Sequence, residues 1–168
     1  MSNFVQQLPA LIGVIIGALG SLVVTTATQR AGFQQQLKER WNERRLNAYA
    51  EYAQRQKATI SLSMRIASHL GTDPFPHPLT PKDAAPAITD AVAARESAWE
   101  AVLLLGEPDV IETGRQWNQA VWDMEQFLRQ SPIEPERWKQ LWARSEQLRH
   151  DFYAVARHDL GVPHPKTA

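Results

Sequence analysis

Five histidines and one close pair of glutamates are the side chains of this 168-residue chain whose types suggest chemistry. His69, His77, His150, His158 and His164 would serve as metal ligands or proton carriers if folding gathered them on one face. No HExxH pair occurs, and His150 and His158, eight residues apart, are expected to be solvated. Glu96 and Glu100 are the nearest thing to a carboxylate dyad for acid–base work, but on an amphipathic helix that spacing marks the wet side. The chain has no cysteine, which removes disulfides, cysteine zinc sites, thiol nucleophiles and iron–sulfur ligation. A GxxxxGK phosphate loop, a GxGxxG turn and a GxSxG elbow are also missing from the sequence. These residues predict no enzyme, no metal, no cofactor and no identified small-molecule substrate.

Six tryptophans carry more promise as packing and contact residues than as chemistry. Most are expected in a core, because a small helical domain needs large apolar side chains. Trp99 and Trp142 fall in the middle of their apolar stripes. One or two of the six are expected to be partly exposed as anchors for a partner, Trp122 first among them.

The elements that must position these residues read as helices throughout. After Ala27 no proline occurs until Pro74, so a first helix is expected from about Leu8 to Leu70, ended by Gly71. Leu37, Trp41, Ala48 and Tyr52 form one apolar stripe on it, and Leu46, Tyr49, Ala53, Ile60, Met64 and Ala67 a second. Glu51 and Arg55 make a favourable i,i+4 pair. A proline-rich linker over residues 71–83 follows, with Thr80-Pro81 resembling a helix cap. Pro86 argues for a later start, at Asp83 or Ala84. The second helix places Ile88, Ala91, Val92, Trp99, Val102 and Leu103 on one face. Gly106-Glu107-Pro108 separates it from a third helix with Val110, Gly114, Trp117, Val121, Met124 and Leu128. Beyond Ser131–Pro135, the fourth presents Trp138, Leu141, Trp142, Leu148, Phe152 and Val155. Such short connections demand antiparallel neighbours. The expected fold is all-α: an N-terminal transmembrane helix continuing into an antiparallel four-helix bundle.

The charges are divided as unevenly as the hydrophobes. Lys and Arg total 18 and so do Asp and Glu, yet none of them precedes Arg30. From Leu8 to Ala27 the chain reads LPALIGVIIGALGSLVVTTA, twenty uncharged residues that as a helix span roughly the 30 Å of a bilayer core. A buried soluble helix would be shorter and keep a polar stripe; a cleaved signal peptide would carry basic residues in Met1–Gln7. The basic residues Arg30, Lys38, Arg40, Arg44 and Arg45 all follow the run, so the positive-inside rule puts the N-terminus outside and the body in the cytoplasm. Residues 1–29 are thus expected as a cell-membrane anchor spanning about 8–27, residues 30–160 as a cytoplasmic bundle and residues 161–168 as a flexible tail. Gly13, Gly17 and Ser21 form a small-residue stripe suited to helix packing in lipid. Membrane lipid attracts only the basic residues nearest the surface. Arg44 and Arg45 stand too far away and are expected to meet acidic residues on a neighbouring helix. Nucleic acid is not an expected partner, since the body lacks a basic face.

WNERRLNAY at residues 41–49, just after the span, and LLLGEPDV at residues 103–110 resemble a loose group of uncharacterised bacterial single-pass membrane proteins with a cytoplasmic helical domain. The resemblance implies topology and fold, and no site residues. The expected function is a membrane-anchored binding or scaffolding module, a homo-oligomer or an accessory subunit meeting a protein partner; the alternative is a regulatory element coupling the membrane to a cytoplasmic partner.

Overall fold

The computed structural model describes residues 3–72, 74–130 and 133–162, with side chains from residue 36 onward. It contains four helices, α1 (Asn3–His69), α2 (Pro81–Leu105), α3 (Pro108–Phe127) and α4 (Pro135–Asp159), and no strand among the described residues. The all-helical expectation is met. The chain divides into two compact units, residues 1–42 and residues 43–168. In the first unit the side chains of residues 36–42 are exposed. The charge-free run 8–27 falls in the part of α1 whose side chains are not described, and the tail 163–168 lies outside the described residues. Among the described residues, no helix is long and apolar enough to cross a membrane.

Within the second unit, side-chain pairings give the direction of every helix. Trp117 meets Phe152 and Phe127 stacks on Trp138, so α3 and α4 run antiparallel. Tyr49 packs on Phe152 while Arg45 reaches Asp159, which makes α1 and α4 antiparallel. Tyr52 meets Trp99 near the end of α2, whereas Ser63 and Ile66 lie opposite its beginning. The α1 segment of this unit therefore runs parallel to α3 and antiparallel to its other two neighbours, as an up-down-up-down bundle requires.

Each of the last three helices opens with proline at its first position, where the missing N–H costs nothing and φ is already helical. At α2 the start is Pro81, two or three residues earlier than Asp83 or Ala84. Thr80 explains the difference: its hydroxyl accepts from the Asp83 N–H at 3.0 Å and donates to the Asp83 carboxylate at 2.7 Å. Pro86 sits inside the helix, where it lacks the N–H that would return to the carbonyl of Lys82. α1 ends at His69, and Gly71 takes the left-handed conformation (φ 82°) that lets the N–H of Thr72 return to Ala67 O.

The proline-rich linker is pinned to α1. Ser68 exchanges hydrogen bonds with the backbone of Phe75, Arg65 Nε donates to His77 O, and Leu79 N–H donates to Arg65 O. Phe75 and Leu79 thereby pack against the core. Gly106 keeps the α2–α3 turn tight, since a Cβ there would stand 2.7 Å from Val102 O.

The core holds Tyr52, Val102, Val110, Trp117, Val121, Met124, Trp138 and Phe152. The whole expected α3 stripe is buried. On α4 the reading is corrected at Trp142, which is 40% exposed: it lies about 100° around the helix from Leu141, while the buried register runs through Trp138, Leu141, Ser145 and Phe152. On α2 the buried line is Ala84, Arg95, Ala98 and Val102, with Trp99 half-buried and Leu103 exposed.

Candidate functional site

Where a bundle this small would be expected to bury only apolar side chains, polar ones run along the inner face of α1. Tyr52, Gln56, Thr59 and Ser63 recur every three or four residues, and all are buried. Tyr52 donates to Gly114 O and accepts from Gln56 Nε2, which also donates to Asn118 Oδ1 at 3.1 Å. One chain of hydrogen bonds thus joins α1 to α3.

At the same level of burial, α2 and α3 contribute an ion pair. Arg95 occupies a core position because the inner face of α2 continues through Ala84, Ile88, Ala91, Ala98 and Val102 at heptad spacing. It is 3% exposed, and its Nη1 donates to Glu125 Oε1 at 2.7 Å; Glu125 is 8% exposed. Arg95 Nε also lies 3.6 Å from Glu96. Taking both charges out of water costs several kcal/mol per ion, which mutual attraction only partly offsets. The second oxygen of Glu125, Oε2, receives no hydrogen bond from any described residue and is not sealed from solvent.

Glu125 lines a groove of about 250 Å³ between the first half of α2 and the facing turns of α1 and α3. Ile66, Ile88 and Leu128 supply apolar walls, Ser63 and Glu125 a polar floor, and Arg129 the edge. This carboxylate is held by a guanidinium and shares the groove with the Ser63 hydroxyl, an arrangement that can bind a hydrogen-bond donor.

A second polar cluster sits where α1 passes the α2–α3 turn and the end of α4. Arg45 contacts Glu107 at 2.7 Å and Asp159 at 3.0 Å, and the Tyr49 hydroxyl donates to Asp159 at 2.6 Å. Burial, then the bond to Asp159, holds the Tyr49 phenol above its ordinary range. Arg45 therefore meets acidic residues of other elements, as expected of it. Beside it an apolar groove of about 430 Å³ follows the α1–α4 seam, lined by Leu46, Ala53, Phe152 and Ala156.

The other expected site residues stand apart. Gly13, Gly17, Ser21 and Arg30 fall in the part of α1 whose side chains are not described, Lys38 and Arg40 are exposed on α1, and Arg44 is exposed beside the cluster. Trp122 is 48% exposed on α3. His69, His77, His150 and His158 are exposed, as are Glu96 and Glu100. Among the described residues no three His, Asp or Glu stand close enough to hold a metal ion. Arg95 and Glu125 escape a search for apolar periodicity, which passes over charged positions; a charge on the heptad line Ala84–Val102 is the signal that marks them. No family model matches the chain, and neither a curated protein nor a solved structure does.

Proposed function

We propose that the chain is a membrane-anchored helical module that acts by binding, with residues 1–29 as a single-pass anchor and the bundle in the cytoplasm holding a protein partner or a second copy. The observation that carries this reading is the uncharged run Leu8–Ala27, with five basic residues within twenty positions after it and none before. Trp122 supports the binding half: a half-exposed aromatic on a helix whose inner stripe is already packed is available as a contact anchor.

The native chain has no cysteine, so single cysteines report topology without interference. In intact cells Ser2→Cys should react with an impermeant maleimide and Thr167→Cys should not, and the chain should resist alkaline carbonate extraction. Release by carbonate would reject the anchor, and the reverse labelling pattern would reject the orientation. Gly17→Ile should weaken crosslinking between copies if the small-residue stripe packs in lipid.

A further inference from the structure

We propose that the groove between α1, α2 and α3 binds a free amino acid with an apolar side chain, its ammonium on Glu125 and its carboxylate on Arg129. This proposal stands independently of membrane anchoring, since every residue it uses belongs to the bundle.

Half of the Glu125 carboxylate is unused. Arg95 occupies Oε1, whereas Oε2 has no donor among the described residues, and Glu125 lines the groove. A carboxylate that is 8% exposed reaches little water and gains from a donor, and an ammonium brings three with a compensating charge. Arg129 lies just past the end of α3, four residues on from Glu125 in a turn that Leu128 continues in the αR conformation, at the groove's edge, with no ion-pair partner among the described residues. Residues four apart on a helix stand about 5–6 Å apart at Cβ, a spacing that the ammonium and carboxylate of one amino acid can bridge with two long side chains reaching inward.

Charge selects the zwitterion. Arg95 and Glu125 neutralise each other, so a simple alkylamine would meet an unbalanced Arg129, and a simple carboxylate would leave Oε2 without a donor. A ligand with both groups satisfies both residues. Ile66, Ile88 and Leu128 then favour an apolar side chain, and about 250 Å³ admits one of leucine size.

Isothermal titration of the full chain in mild detergent, with L-leucine as probe, tests the proposal. Saturable binding is expected. Leucinamide, which lacks the carboxylate, and 4-methylpentanoate, which lacks the ammonium, should each bind about tenfold more weakly or less, since each forfeits a charge-assisted bond. Glu125→Gln disturbs the pair with Arg95, so two exposed positions carry the mutational test. Ala85→Phe should fill the groove and abolish binding, and Arg129→Gln should reduce leucine affinity about tenfold while leaving leucinamide unchanged. The proposal is overturned if leucine does not bind saturably, if Ala85→Phe binds it as the parent does, or if 4-methylpentanoate binds as tightly.

Discussion

The hydroxyl of Tyr52 donates a 2.7 Å hydrogen bond to the main-chain carbonyl of Gly114, across the interior of the bundle. Gly114 makes that approach feasible. A Cβ on it would stand 2.7 Å from the Trp99 ring and 3.4 Å from Phe152, so the absence of a side chain lets three aromatic residues close around one helical turn. Tyr52 in turn lies edge-on to Trp117 and Phe152. The centre of the fold is an aromatic cluster organised by one hydroxyl and one glycine.

Removing the hydroxyl alone should therefore be measurable. Tyr52→Phe keeps the ring contacts but deletes the bond to Gly114 O and leaves Gln56 Nε2 with Asn118 as its remaining acceptor. A loss of about 1–2 kcal/mol is expected from chemical denaturation. Gly114→Val, which forces a side chain into Trp99, should cost more than Tyr52→Phe; equal or smaller cost would show that the ring moves freely.

Trp138 and Trp142 make a second contrast within one helix. Trp138 is fully buried and stacks on Phe127 at 6.5 Å, so Trp138→Ala should cost about 3–5 kcal/mol. Trp142→Ala, at a half-exposed site, should cost about 1 kcal/mol or less. Thermal melts of the two variants side by side check this, and similar losses would place Trp142 in the core after all.

The same pair shows what the sequence could disclose. The central stripe of α3, Val110 through Leu128, was readable because its members recur at helical period, while Ala120, Glu125 and Phe127 are buried beside it. α4 was harder, since Trp138, Leu141 and Trp142 are all apolar while the buried Ser145 is not, and periodicity cannot rank them without knowing where α3 lies. The proline-rich segment announced a break in the helices. Its attachment to α1 through Arg65 and Ser68 depends on tertiary contacts that no local signal records. Arg95 and Glu125 lie thirty residues apart in the chain, so their pairing became visible only when α2 and α3 met.

Alkaline pH should loosen the bundle through its tyrosines. Burial pushes the Tyr52 phenol above its ordinary range, and burial together with donation to Asp159 does the same for Tyr49. The folded state then retains protons that the unfolded chain releases above its ordinary tyrosine pKa of about 10. Stability from these groups is complete below that pH and declines as pH rises through it towards the folded-state values. Melting temperature should fall above about pH 10, and the fall should be shallower in Tyr49→Phe. Parallel pH curves for parent and variant would remove Tyr49 from the effect.

The buried ion pair allows the sharpest energetic test, because two opposing contributions predict different double-mutant outcomes. If the attraction between Arg95 and Glu125 exceeded their desolvation cost, replacing both would destabilise about as much as replacing one. General experience with sealed pairs points the other way: removing one partner strands a charge and costs about 3–5 kcal/mol, whereas replacing both with apolar residues of similar volume is often neutral or stabilising. Arg95→Met should accordingly lower stability sharply by leaving the Glu125 carboxylate, 8% exposed, without its 2.7 Å donor. Arg95→Met combined with Glu125→Leu should recover most of that loss in chemical denaturation. Recovery would mean that the bundle carries this pair at a cost to its stability, consistent with a carboxylate kept for a ligand. A double variant as unstable as the single one would make the pair structural and would remove the energetic reason for reading the groove as a site.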